Sequence, residues 1–166
     1  MTDHPQQPYS GPSVMSHMGI CVRNIEKSLA FYRDMLGMSI MKDEMLPPED
    51  LGPLHLYELP LAKRRVVYLK YGAHAASPVL VITERPESTA GQPTLLDQHG
   101  ISHLGFTIPN LQEFTERMLK LGAKPFGPTD SFRSPEGKVL SVFFSDPDGK
   151  LLQFDEALNI PTPARD

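Results

Sequence analysis

HMGICVRNIEKSLAFYRDMLG, residues 17–37, returns 86 positions later as HLGFTIPNLQEFTERMLKLG, residues 103–122, with one residue fewer inside its helical part. The two stretches match at His17 and His103, Gly19 and Gly105, Asn24 and Asn110, Ile25 and Leu111, Leu36 and Leu121, and Gly37 and Gly122. Self-similarity at a fixed offset is the signature of one structural unit used twice.

Each copy spells out a strand, a helix start, a helix and a stop. Met18, Ile20 and Val22 alternate with His17, Gly19 and Cys21, and Leu104, Phe106 and Ile108 alternate with His103, Gly105 and Thr107. That period of two predicts a half-buried strand with an apolar face and a face bearing the histidine. Asn24 and Asn110 are suited to accept a hydrogen bond from a free amide of the first helical turn. Ile25, Leu29, Tyr32 and Leu36, and then Leu111, Phe114, Met118 and Leu121, fall at spacings of three and four and predict one apolar stripe per helix. Gly37 and Gly122 supply the left-handed stop. The helices are expected to cover the apolar strand faces and leave the histidine faces on the other side.

Short strand candidates follow each helix: 38–42, 64–71 and 79–83 in the first copy, and 123–126, 138–145 and 151–155 in the second. The DPDG of residues 146–149 is a turn, its proline holding φ and its glycine allowing positive φ. The expected fold is α+β: two tandem βαβββ modules forming a partly closed, cavity-bearing mixed sheet. The first module spans 14–84 with a proline- and leucine-rich insert at 46–63, and the second spans 101–156. Between them 85–100 is a linker broken by Pro86, Gly91 and Pro93. Residues 1–13 read as a disordered leader and 157–166 as a C-terminal tail.

The chain has 166 residues, 40% hydrophobic and 22% charged, with a formal net charge of -4. A nucleic-acid or anionic-membrane surface needs an excess of lysine and arginine on one face, so neither partner is expected. A small molecule or a second copy of the chain fits better. One cysteine, Cys21, allows no internal disulfide and suits a reducing compartment, so the cytoplasm is the expected location. No phosphate-cradling glycine loop, nucleophile elbow or CxxC pair is present, which argues against nucleotide and covalent-nucleophile chemistry.

Two histidines at equivalent strand positions point to metal, because imidazole is the commonest metal ligand. Together with FFSDPDGKLLQF at 143–154, the duplicated segments resemble the vicinal oxygen chelate superfamily, which includes glyoxalase I, methylmalonyl-CoA epimerase, type I extradiol dioxygenases and the fosfomycin and bleomycin resistance proteins. The resemblance runs from Met15 to Glu156. It implies metal ligands on the first and last strand of each module, which here are His17, His103 and Gln153, with Val81 at the remaining position. It further implies a divalent ion (Fe, Mn, Zn or Ni) with positions open for two neighbouring substrate oxygens. Some relatives use a glutamine ligand, and the extradiol type uses two histidines and a glutamate.

Alternation along 151–155 places Leu151, Gln153 and Asp155 on the histidine side, so Asp155 is a candidate substrate contact, as are Phe143 and Arg133. Candidate acid or base groups are His55 and Tyr57, two apart in the insert, and Tyr68 in the third strand; a surface loop and sheet packing are the plainer readings of these positions. Two functions lead at this point, ahead of a structural or regulatory dimer. One is a metal-dependent lyase, isomerase or ring-cleaving dioxygenase acting on a small oxygenated substrate. The other is a metal-free protein that binds a drug or metabolite. A homodimer is the expected assembly.

Overall fold

The computed structural model describes residues 15–53, 56–57, 62–72, 77–87 and 94–156. The expected leader and tail, and His55, lie outside the described residues.

The chain forms two sheets. The first takes β1 (His17–Val22), β2 (Ser39–Leu46), β3 (Arg64–Lys70) and β4 (Val79–Glu84) in the order β1-β4-β3-β2. The second takes β5 (His103–Ile108), β6 (Lys124–Pro125), β8 (Val139–Ser145) and β9 (Leu151–Glu156) in the order β5-β9-β8-β6, with the two-residue β7 (Phe132–Arg133) also paired to β8. The same first-fourth-third-second order in both sheets is the βαβββ duplication expected from the repeat, and the architecture is α+β. Among the described residues, β7 has no counterpart in the first sheet.

Spatially the chain divides into two compact units, one of Met1–Ile20 with Met38–Thr83 and one of Cys21–Gly37 with Glu84–Asp166. The helix of the first copy thus groups with the second sheet.

In the second unit β5 and β9 run parallel, and a parallel pair needs a long crossover. α2 (Leu111–Lys120) supplies it. Asn110 caps the helix, its side-chain oxygen accepting from the Glu113 amide at 3.1 Å, and Gly122 ends it at φ +84°. Leu111, Phe114 and Met118 are buried against the sheet face made by Leu104, Ile108, Val142, Phe144, Leu152 and Phe154. The Phe114 ring lies 4.6 Å from that of Phe154, which also stacks on Phe106 at 5.3 Å. Burying such side chains stabilises by about 1.5–3 kcal/mol each. Leu121, expected to close the apolar stripe, is instead exposed; the chain has already turned, and Ala123 takes the buried place.

The first helix solves a counting problem. Thirteen positions separate Asn24 from Gly37, against twelve from Asn110 to Gly122. After the α-helical turn α1 (Ile25–Leu29), capped by Asn24 at 2.9 Å from the Lys27 amide, Ala30–Met35 continue as a π-helix. The Leu36 amide donates to the Phe31 carbonyl five residues back, at 3.0 Å. A π turn holds one residue more than an α turn, so the extra residue is absorbed without losing the stripe: Ile25, Leu29, Tyr32 and Leu36 are all buried. Within this unit the fully buried Tyr32 hydroxyl donates to Asp146 Oδ2 at 2.9 Å, and Arg117 Nη1 donates to the Met35 carbonyl at 2.7 Å.

Asp146 opens the DPDG turn. Its Oδ1 accepts from the amides of Asp148 at 2.9 Å and Lys150 at 2.7 Å, while Gly149, at φ +86°, donates its amide to the Asp146 carbonyl.

In the first unit β2 is the edge strand and runs to Leu46, four residues beyond the expected end. Most of its residues are exposed, so no apolar period marked its length; Ile40, Met41 and Met45 face solvent. A bulge lies between Ile40 and Lys42, and the far end pairs Leu46 with Arg64. What the sequence suggested as the start of an insert is therefore strand, followed by a short 3-10 turn at Pro48–Asp50.

Candidate functional site

The polar face of the second sheet is built by register. β9 aligns Gln153 with Gly105 on one side and with Phe143 on the other, and aligns Asp155 with Thr107 and Ser141. Paired residues share a face, so His103, Gly105, Phe143, Ser141, Gln153 and Asp155 come together on the side opposite α2. The His103 ring stands edge-on to Phe143, with centroids 6.5 Å apart. A Cβ added at Gly105 would meet no atom within 4 Å, so the space beside Gln153 is open.

Gln153 is held by its neighbour on the same face. Its Nε2 donates to both carboxylate oxygens of Asp155, at 2.9 and 3.0 Å. An amide whose nitrogen is tied in this way presents its carbonyl oxygen, a neutral donor for a hard cation or a substrate proton. Ser141, opposite Asp155, is 4% exposed, and its hydroxyl has no hydrogen-bond partner among the described residues.

Each histidine has a serine on its ring. Ser102 Oγ lies 2.8 Å from His103 Nδ1, and Ser16 Oγ lies 2.8 Å from His17 Nδ1. The two serines went unnoticed in the sequence, although the signal was present: each precedes its histidine, at the same offset of 86. With Nδ1 engaged, Nε2 is the ring nitrogen left to act on another group.

The first unit shows the same frame with other side chains. Val81 is paired with Tyr68 as Gln153 is with Phe143, and Thr83 with Val66 as Asp155 is with Ser141. Val81 therefore occupies the position expected for it, and Tyr68 is the counterpart of Phe143. Lys42, paired with Tyr68 from β2, places its ammonium 6.0 Å from the Tyr68 ring and 2.7 Å from Glu44. Tyr57 is engaged by its surroundings: its hydroxyl donates to the Leu51 carbonyl, and the Arg64 guanidinium lies 5.0 Å over its ring. His17 is exposed on β1.

Arg133 stands apart from the His103 face. Its guanidinium donates to Asp130 at 2.9 Å and to the Gly137 carbonyl at 2.7 Å, and it lines a cavity of about 460 Å³ with Leu111, Thr115 and Leu119 of α2. Two of the cations there are paired, Arg133 with Asp130 and Lys138 with Glu156 at 3.1 Å. Among the described residues, no three of His, Cys, Asp and Glu converge as a metal-holding cluster.

The model of the Glyoxalase/Bleomycin resistance protein/Dioxygenase superfamily matches residues 14–154. The chain belongs to this superfamily. Solved structures carry the same glyoxalase fold. Glyoxalase I of Leishmania major is 23% identical, with a TM-score of 0.62 and 87% of each chain covered. A glyoxalase family protein from Enterococcus faecalis is 22% identical with a TM-score of 0.62, over 87% of this chain and 98% of that one. A glutamate-to-glutamine mutant of the fosfomycin resistance protein FosX from Listeria monocytogenes, solved with Mn(II) and 1S,2S-dihydroxypropylphosphonic acid, is 19% identical with a TM-score of 0.54, over 89% and 94% of the chains. No curated protein matches the chain. The polar face of the second sheet draws on β5, β8 and β9 of its module.

Proposed function

We propose that the protein is a divalent-metal-dependent enzyme of the glyoxalase superfamily, a lyase, isomerase or ring-cleaving dioxygenase acting on a small oxygenated substrate. The observation that carries this reading is the polar face of the second sheet, where Gln153, tied through its nitrogen to Asp155, presents a carbonyl oxygen on the same face as His103. Superfamily membership and the Mn(II) in the FosX structure support it.

The donor chemistry fits a divalent ion of the Fe, Mn, Zn or Ni group. Within the second unit His103 offers Nε2, Gln153 its amide oxygen and Asp155 a carboxylate beside that amide, and within the first unit His17 offers Nε2. When bound, such an ion acts as a Lewis acid toward substrate oxygens and favours charge development on them. The chain does the rest. Phe143 supplies an apolar wall against which a planar or aliphatic substrate packs, and the open ground at Gly105 leaves room for it. Asp155 fixes the orientation of Gln153 and contacts substrate from the rim. Tyr68, on β3 beside Lys42, is the candidate for proton transfer in the first unit, with His55 a further candidate. Arg133 and Tyr57 serve structure in this reading, because their polar groups are already engaged. In this reading the protein works in the cytoplasm, a reducing compartment that the lone exposed Cys21 fits, and a homodimer is the assembly to test by size-exclusion chromatography.

The experiment is the metal content of protein purified without chelator, for the wild type, His17→Ala and His103→Ala. The expected result is stoichiometric metal in the wild type and loss in both variants, with circular dichroism unchanged. Equal, substoichiometric metal in all three would overturn the reading. It would favour a metal-free drug- or metabolite-binding protein of the same fold, for which Val81 beside Tyr68 provides an apolar, aromatic wall.

A further inference from the structure

We propose that the polar face of the second sheet selects a planar aromatic ligand carrying a hydroxyl group, its ring lying against Phe126, Phe132 and Phe143 and its hydroxyl donating to the Gln153 carbonyl oxygen. The inference rests on the reading above only in taking this face as the substrate site; it needs no ion and lies within the second unit.

Register brings the three rings to one side. The Phe126 amide donates to the Phe143 carbonyl at 2.8 Å, one residue beyond the pairing of Pro125 with Phe144, so Phe126 stands opposite Phe143. Phe132 stands opposite Ser141 on the same edge of β8. Phe143 and Ser141 are two apart on β8 and share the side that carries Gln153 and Asp155. One row across the face thus reads Phe126, Phe143, Gln153, and the next reads Phe132, Ser141, Asp155. The rows lie about 7 Å apart, an interval over which one flat ring system can touch the phenyls of both.

Two of these rings do nothing for the core. Phe126 is 47% exposed and Phe132 57%, whereas the opposite side of the sheet buries Phe114, Phe144 and Phe154. Single exposed apolar side chains are ordinary, but neighbours on a face that also holds polar groups mark a binding surface. The polar groups decide what binds. Gln153 has its nitrogen tied to Asp155, so the face offers acceptors, an amide oxygen and a carboxylate. Ser141, between Phe132 and Asp155, is buried and its hydroxyl has no partner among the described residues, an unmet hydrogen bond in the same row. A purely apolar partner would cover these groups without pairing them, at a cost in free energy, and an aliphatic alcohol would forgo the ring contacts. A ring bearing a hydroxyl meets both demands.

The test titrates the full-length protein as purified with 2-naphthol, with decahydro-2-naphthol (the hydroxyl without the aromatic ring) and with naphthalene (the ring without the hydroxyl). The wild type is expected to bind 2-naphthol more tightly than either control. Phe126→Leu and Phe132→Leu, which keep apolar bulk at exposed positions, should each weaken 2-naphthol binding about 3- to 10-fold and leave decahydro-2-naphthol within about twofold. Gln153→Met should remove the preference for 2-naphthol over naphthalene. No binding of 2-naphthol, no preference over either control, or leucine variants that bind as the wild type does would each overturn the inference. Size-exclusion chromatography of the same variants tests the other occupant: if they turn a dimer into monomers while 2-naphthol binding is unchanged, the rings are a contact between copies and the inference falls. The two readings fail separately. Ring-selective binding in a protein without stoichiometric metal sinks only the metal-dependent reading, and stoichiometric metal without ring selectivity sinks only this one.

Discussion

Asp146 shows how much one carboxylate can organise at a turn. It accepts from two amides of its own loop and from the Tyr32 hydroxyl, so the loop between β8 and β9 and the π segment of the first helix are tied at one group. Burial pushes its carboxyl above the ordinary range, with the hydrogen bonds and Lys150 working in the opposite sense, and it pushes the Tyr32 phenol well up. Because the folded carboxyl holds its proton more tightly than the unfolded one, the folded state binds more protons between the ordinary carboxylate value and the raised one. Stability attached to this residue is therefore fully present below the unfolded value and is lost as the pH rises through the folded one. Urea titrations of the wild type and Asp146→Asn from about pH 4 to about pH 7 should show the wild type losing ground to the variant as the pH rises; a gap that is flat, or that widens in the other direction, would contradict the assignment. Part of this was legible in advance. DPDG announced a turn, but nothing in its spelling announced Tyr32, because a hydroxyl 114 residues away in sequence is visible only once the chain has folded.

At the scale of elements, the second unit rests on the stack of Phe106, Phe154, Phe114 and Phe144, where neighbouring rings lie 4.6 to 6.4 Å apart. Phe154 touches the other three. Phe154→Ala should cost about 3–5 kcal/mol, read from the urea midpoint at constant m-value, since it removes a buried ring from the centre of the cluster. A loss below about 1 kcal/mol would show that the cluster collapses around the gap. Alternation along β1, β5 and β9, the two asparagine caps and the glycine stops were all readable, because each is dictated by local backbone chemistry. The π segment was readable only as a surplus residue between matched landmarks. β2 was underestimated because an edge strand exposed on both faces leaves no apolar rhythm, and β7, two residues long, leaves no pattern at all.

For the molecule as a whole, a ligand that binds only the folded chain stabilises it in proportion to its occupancy. With free Mn2+ or Zn2+ about 100-fold above the dissociation constant, the gain is about 2.7 kcal/mol, or an upward shift in Tm of roughly 5–10 °C for a chain of this size. Differential scanning calorimetry of metal-free protein with and without the ion should show that shift in the wild type and lose it in His103→Ala; the absence of a shift in the wild type counts against a resident metal. The duplicated plan and its histidines could be read directly because the repeat set two segments side by side. The divergence of the copies could be read only as spelling, valine where its partner has glutamine, until register showed that Tyr68 and Val81 in one sheet stand where Phe143 and Gln153 stand in the other. That register also governs the order in which the protein can form. β5 must wait for β9, 48 residues further along, before either has its parallel partner, and such distant pairings are slow because the chain loses the entropy of a long loop before gaining any contact. His103 and Gln153 thus share a face only once β5 and β9 have paired, so a nascent chain that has not yet delivered β9 lacks the polar face altogether.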